Sequence, residues 1–271
     1  MTTTEAWDAI ASGYDELVAP GEDGFAATAL QLAGLVPGEH FLDVAAGPGG
    51  LSLAAARQGA MVLATDWSPA MVARFEARAQ AEGLTHAAGR AMDAHQLELE
   101  DDLFDLTGSQ FGVMLVPAQS VALREMVRVT KPGGRVLLVA YGAPTDFEAL
   151  QFFVAALKSV KSDFEGVPDD PPPLEFQLSD PRVMTERLAA AGLRDVRVDT
   201  AHQERLELRS GLECWNWMVN SNPIVGSILS EFSPGEQAGA RDMLDELIRE
   251  RRGTAPCAVL TAPLNIGLGW K

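Results

Sequence analysis

Over residues 41–141, short apolar runs alternate with longer amphipathic stretches. That alternation predicts parallel strands joined by helices lying on both faces of one sheet. The first run, 40–45, enters Ala46-Gly47-Pro48-Gly49-Gly50 and then a helix over 51–58, with Gly59 where a left-handed cap belongs. A second run, 61–65, stops at Asp66, and Ser68 and Pro69 then offer an N-cap and a first-turn proline for a helix reaching Gly83. A weak third strand, 86–91, leads to Met92-Asp93-Ala94, and a fourth, 104–108, ends at Ser109-Gln110-Phe111. A helix over 120–130 and the turn Lys131-Pro132-Gly133-Gly134 feed a fifth strand, 135–141. Its unbroken Val/Leu content predicts burial on both faces, at the centre of the sheet.

Beyond Tyr141 the rhythm changes. The pattern predicts a helix over 147–160, a rigid loop at Asp169-Asp170-Pro171-Pro172-Pro173, a helix over 181–191 and a strand over 194–200 extending toward Leu208. A helical excursion, 211–252, separates that strand from a last one around 258–262.

Composition narrows the function classes. The 271 residues hold 21 basic and 38 acidic side chains, a net charge of −17, and both halves of the chain are acidic. Phosphate-backbone binding needs a basic patch, so nucleic acid is excluded as an expected partner. The first ten residues lack a basic stretch followed by an apolar one, and no apolar run nears the ~18 residues of a membrane span. The expectation is a cytoplasmic protein without membrane insertion. Cys214 and Cys257 are too few for a disulfide framework or a thiolate metal site, and no metal is expected.

The glycine-rich turn is the first chemical signal. Gly47 and Gly49 carry no Cβ to keep a ligand from the backbone, although a tight turn without a ligand would use the same residues. A nicotinamide fingerprint would need glycine where Ser52 stands. Asp66, at the end of the second strand, occupies the place where doubly wound folds hold ribose hydroxyls, which points to a nucleoside cofactor; the alternative is a neighbour of the Ser68 helix cap. Asp43, beside the glycines, suits an ammonium or the loop amides and would repel a diphosphate.

Taken together, Leu42-Asp43-Val44-Ala45-Ala46-Gly47-Pro48-Gly49-Gly50, Ala64-Thr65-Asp66-Trp67-Ser68-Pro69-Ala70-Met71, Met92-Asp93-Ala94, Phe104-Asp105-Leu106 and the stretch from Leu123 to Gly134 resemble the ordered motifs of class I S-adenosylmethionine-dependent methyltransferases. The resemblance covers about residues 5–141 and is strongest to the small-molecule branch related to ubiquinone/menaquinone biosynthesis enzymes. It implies S-adenosyl-L-methionine as cofactor and a Rossmann-like α/β fold, doubly wound, with seven strands, the last antiparallel and inserted beside the fifth. Asp43, Ala45, Gly47 and Gly49 would line the methionine moiety, Asp66 the ribose, and Trp67, Met71 and Met92 the adenine, whose amino edge Asp93 and Ala94 would read. Ser109 and Gln110, with Phe111, would face the methionine part and the substrate. Trp7 and Tyr14-Asp15 resemble the N-terminal segment, residues 1–36, that folds over the cofactor in that branch. Residues 37–141 would form the cofactor-binding core and 142–271 would complete the sheet, with 211–252 as a substrate cap, all within one structural domain. Ala46 and Pro48 depart from the Cys and Thr of many relatives, in a loop that acts through its backbone.

Methyl transfer is an in-line displacement that needs alignment and exclusion of water more than a dedicated base. Should the acceptor need one, His202, Tyr141 and His95 are the titratable candidates nearest the expected cleft. Phe147, Phe152, Phe153, Phe164, Phe176, Trp215 and Trp217 are either core or the wall of a pocket for an apolar or aromatic small molecule. A non-catalytic cofactor-binding protein and a nucleotide-dependent oxidoreductase of the same fold class stay open, as does a homodimer.

Overall fold

The computed structural model describes residues 3–168 and 170–271, so Asp169 of the proline-rich loop lies outside the described residues. The chain opens with α1 (Thr4–Gly13), a π-helical turn (Tyr14–Val18) and α2 (Ala19–Ala33). The Rossmann-like part follows as β1 (His40–Val44), α3 (Gly50–Arg57), β2 (Met61–Asp66), α4 (Pro69–Ala81), β3 (Ala87–Ala91), β4 (Phe104–Gln110), α5 (Gln119–Val129) and β5 (Thr130–Tyr141). Then come α6 (Glu148–Val160), α7 (Pro181–Ala190), β6 (Arg194–Leu208), α8 (Gly211–Ser221), α9 (Pro223–Leu229), α10 (Pro234–Arg252) and β7 (Ala258–Trp270).

The strands form one sheet in the order β3-β2-β1-β4-β5-β7-β6. The first five pair in parallel, and β7 runs antiparallel between β5 and β6. This is the seven-stranded arrangement that the resemblance implies. Two details differ from the sequence reading. The middle position belongs to β4 rather than β5, although residues 136–140 of β5 are fully buried. The last strand runs to Trp270, well past Ala262, because the apparent breakers Gly267 and Gly269 are packing residues. A Cβ at Gly267 would come within 2.7 Å of Leu188, and one at Gly269 within 2.9 Å of Leu193. Glycine there lets α7 and the turn after it lie directly on the sheet.

The excursion between β6 and β7 consists of the three helices α8, α9 and α10. Ser233 and Glu236 close a reciprocal capping box at the start of α10, whose Ala240, Leu244 and Ile248 are fully buried. That face rests on α6 and α8. Among the described residues no helix is long and apolar enough to cross a membrane.

Candidate functional site

Chain order reverses between β1 and β4, and the crevice beyond the carboxyl ends of those strands is where open α/β sheets take ligands. Backbone strain collects there. Ala45, just past β1, and Phe111, just past β4, hold left-handed conformations at φ 54° and 57°, which cost a non-glycine residue about 1–3 kcal/mol each. The two turns touch: a Cβ on Gly112 would lie 2.2 Å from the Ala45 carbonyl oxygen.

A cavity of about 200 Å³ opens in this crevice. Asp66 is held at its mouth by two backbone amides, Ser68 N–H to Oδ1 and Gly47 N–H to Oδ2, both 2.8 Å. Burial raises its pKa against the pull of those amides. Each oxygen keeps a lone pair, so the carboxylate can still receive vicinal hydroxyls. Trp67, Met71, Met92 and Ala94 line the same cavity, as do Asp93, Ala45, Gly47 and Gln110. Asp93 Oδ1 accepts from the backbone N–H of His95 at 2.9 Å and pairs with its Nδ1 at 2.7 Å. Burial works against the imidazolium, but the Pro117 carbonyl and Asp93 outweigh it, and the pKa of His95 is raised. With both ring nitrogens engaged, His95 fixes Asp93. The site suits a nucleoside: two carboxylates with lone pairs to spare, and open space where Gly47 lacks a Cβ.

Three residues expected in the wall stand behind it. Asp43 is 1% exposed; its Oδ2 accepts from Ser52 Oγ at 2.6 Å, while Oδ1 is buried without a partner. Burial pushes its pKa up to about 7. Ser109 Oγ accepts from the Val113 N–H at 2.9 Å and is spent on that turn. Gly49 faces α4: a Cβ there would meet Phe75 at 2.2 Å, so this glycine permits packing rather than ligand approach.

A second cavity, of about 840 Å³, shares Tyr14, Glu22, Phe111 and Leu115 with the first. Rings lead from one to the other. Phe111 stacks on Tyr141 with centroids 4.7 Å apart, Tyr141 meets Phe147 at 4.7 Å, and Phe147 meets Trp217 edge-on at 6.1 Å. Phe153, Phe164 and Phe176 also line it, whereas Trp215 packs on Phe153 and under Arg241 in the core of the excursion. The helices of the excursion contribute unequally: α8 and α9 reach the cavity, and α10 packs on α8 and α6.

Two tyrosine–carboxylate pairs are buried near this junction, the first with both members lining both cavities and the second with only its tyrosine reaching the larger one. Tyr14 donates to Glu22 Oε1 at 2.7 Å, and Tyr141 donates to Glu204 Oε2 at 2.9 Å. Burial, reinforced by the charge of Glu204, raises Glu22 to about 8, and burial raises Glu204 to about 7. The π-turn that carries Tyr14 is latched over α4. Asp8 accepts from Ser68 Oγ and from the Ala70 N–H, Arg78 pairs with Asp15 and Asp23, and Gln110 Nε2 donates to the Glu22 carbonyl at 3.1 Å.

His202, expected near the acceptor, lines neither cavity; its ring lies edge-on to Phe25 at 5.8 Å with Asp199 at 3.6 Å. It shares a sheet face with Tyr141, both pairing with Leu264 of β7, but Phe25 of α2 packs against its ring. Tyr141 does reach the larger cavity. Glu22 and Glu204 escaped the sequence reading, yet both left a trace. Glu22 falls on the apolar stripe of α2 with Ala26, Ala29 and Ala33, and Glu204 shares strand parity with buried Leu206 and Leu208.

The chain matches the family model of a methyltransferase domain over residues 42–138. An uncharacterized protein of Mycobacterium tuberculosis is 44% identical over 109 residues, 40% of this chain and 39% of that relative's length. A demethylmenaquinone methyltransferase of Mycolicibacterium gilvum is 32% identical over 205 residues, 70% of this chain and 86% of the relative. Among solved structures, the YcgJ protein of Bacillus subtilis superposes with a TM-score of 0.57 at 19% identity, covering 92% of this chain and 97% of that one. A phosphoethanolamine N-methyltransferase of Haemonchus contortus, solved with S-adenosyl-L-methionine, gives 0.56 at 19% identity over 92% of this chain and 52% of that one. The two structural likenesses concern the fold. The match along most of the length of the Mycolicibacterium enzyme concerns descent, and on it the chain belongs to the class I S-adenosylmethionine-dependent methyltransferases.

Proposed function

We propose that the protein transfers a methyl group from S-adenosyl-L-methionine to a small, apolar, ring-bearing metabolite. The observation that carries this reading is the meeting of two cavities across Tyr14, Glu22, Phe111 and Leu115, one polar at its far end and one walled by aromatic rings. When bound, the cofactor supplies a methyl carbon made electrophilic by its sulfonium. In the smaller cavity Asp66 would hold the ribose, and Asp93 and Ala94, between Met71 and Met92, the adenine. Ala45, Gly47 and Gln110 would lie along the methionine part, with Asp43 acting from beneath the loop.

The remaining work is alignment and drying. Phe111, Tyr141, Phe147 and Trp217 offer flat faces against which a ring can stack in one orientation. Residues of α8 and α9, including Trp217 and Val225, close the outer side of the larger cavity, and the latched π-turn closes the inner side, so water is kept from the reacting carbon. Family membership speaks against the oxidoreductase alternative. Two measurements separate an enzyme from a binding protein: calorimetric binding of S-adenosylhomocysteine, and transfer of a labelled methyl group into a metabolite extract. Binding with no labelled product from any extract would contradict the catalytic reading.

A further inference from the structure

Of the ionisable side chains in the molecule, Glu22 has the most unusual position. It is 7% exposed, and the cavities on either side of it account for what remains open. One carboxyl oxygen accepts from Tyr14; the other has no donor among the described residues and is not sealed in the core, in contrast to Glu204, whose Oε1 is buried without a partner among those residues and which lines neither cavity. Among the described residues no cation forms an ion pair with it. The charged and titratable groups around it are Tyr14 on the π-turn, Asp23 on its own helix, Arg78 from α4, Tyr141 from β5 and Glu204 from β6. Of these only Arg78 is positive, and it is committed to Asp15 and Asp23. The indole N–H of Trp217, a residue of the larger cavity's wall, is by contrast buried without an acceptor among the described residues, as Glu204 Oε1 is. A carboxyl oxygen without a donor, at the junction of the two cavities, suits a ligand bearing an acidic hydrogen.

We propose that Glu22 is the base that takes the methyl acceptor's proton, and that the positive charge of the methyl donor in the neighbouring cavity is what ionises it. The inference rests on the methyl-transfer reading above. An empty site leaves Glu22 protonated, because burial and the nearby Glu204 disfavour a second charge. A sulfonium arriving beside it reverses that preference, and the proton leaves to solvent. The acceptor then binds as a neutral O–H or N–H compound. Its lone pair forms the bond to the methyl carbon, the carbon–sulfur bond breaks with its electron pair going to sulfur, and the acceptor's proton passes to Glu22. One positive and one negative charge disappear together, so the closed site ends neutral. Since the product thioether is uncharged, Glu22 stays protonated until a fresh cationic donor enters. The base is thereby armed only when the donor is present.

S-adenosylmethionine and S-adenosylhomocysteine differ by the methyl group and its charge, so their amino and carboxylate groups cancel in a comparison. Titration calorimetry in buffers of different ionisation enthalpy counts the protons exchanged on binding. At pH 7 the native protein should release up to about one proton more with S-adenosylmethionine than with S-adenosylhomocysteine. Across pH 6–8 the ratio of the two affinities should rise with pH by up to about tenfold per unit, a measurement that needs no variant. Glu22→Gln should abolish the difference, and Glu204→Gln should keep it but move it to lower pH. With labelled donor and a metabolite extract, Glu22→Gln should form product about 10²–10⁴-fold more slowly. Equal proton counts for the two ligands in the native protein, a difference that survives in Glu22→Gln, or equal product rates would overturn the proposal while leaving the methyltransferase reading in place. Binding of neither ligand would overturn both.

Discussion

The two cavities are built by opposite means. The smaller is made of strand ends and turns, where Ala45, Gly47 and Phe111 bend the backbone and Asp66 ties the glycine loop to the start of α4. The larger is made of side chains donated by the N-terminal segment, α6, α8, α9 and the loop after α6, around a ladder of rings. A backbone-built site is set by the fold and tolerates little change. A side-chain-built site can be refitted to another acceptor while the sheet beneath it stays the same.

Substitutions in the glycine loop should break this contrast most severely. At Gly49, valine would drive into Phe75 from a left-handed backbone position, and chemical denaturation should show a loss of about 3 kcal/mol or more. Two residues earlier, Gly47→Ala meets open space and should cost only the left-handed backbone strain, about 1–2 kcal/mol. Such a variant stays folded and should lose affinity for S-adenosylhomocysteine in calorimetry. Equal stability of the two variants would mean that the loop is a ligand surface at both positions.

Asp66→Ala should weaken S-adenosylhomocysteine binding by about 1.5–3 kcal/mol, the range for hydrogen bonds to a charged group. The same measurement on Phe147→Leu, in the larger cavity, should give an affinity close to that of the native protein. If both variants lose affinity equally, the cavities do not divide the labour as described.

Acidity should distinguish the ligand-free protein in a milder way. Glu22, Glu204 and Asp43 have folded pKa values raised above those of an unfolded chain, to about 8, 7 and 7. Raised carboxyl groups bind more protons folded than unfolded, so their contribution is complete below about pH 4 and is lost as pH rises toward 8. The midpoint of thermal unfolding should therefore fall between pH 5 and 8.5, and fall less in Glu22→Gln. A flat profile in the native protein would mean that these groups are solvated. The smallest expected effect is that of Trp217→Phe, which removes a buried N–H that has no partner. It should leave thermal stability within about 1 kcal/mol of native.

How far the sequence disclosed this division follows from the same contrast. Motifs made by backbone geometry are local, so Asp66 and Gly47 could be placed from the strand endings beside them. Even there, packing decided what spacing could not: Gly49 serves Phe75, and Ser109 serves the turn at Val113. The larger cavity draws on residues more than 180 positions apart, Glu22 and Trp217 among them, and nothing local joins them. Its rings, Phe147, Phe153, Phe164, Phe176 and Trp217, read in the sequence equally as core or pocket wall, and Glu22 left only the trace of a charged residue on an apolar stripe in α2. His202 shares the parity of Glu204, and the packing of Phe25 from α2 against its ring has no mark in the residue pattern.

The most direct test is the crystal structure of the protein with S-adenosylhomocysteine. The adenine is predicted to lie between Met71 and Met92 beside Asp93, the ribose on Asp66, and the sulfur at the junction formed by Tyr14, Glu22 and Phe111, facing the larger cavity. A ligand with its adenine in the larger cavity, or with its sulfur turned away from Glu22, would contradict the division of the site between the two cavities.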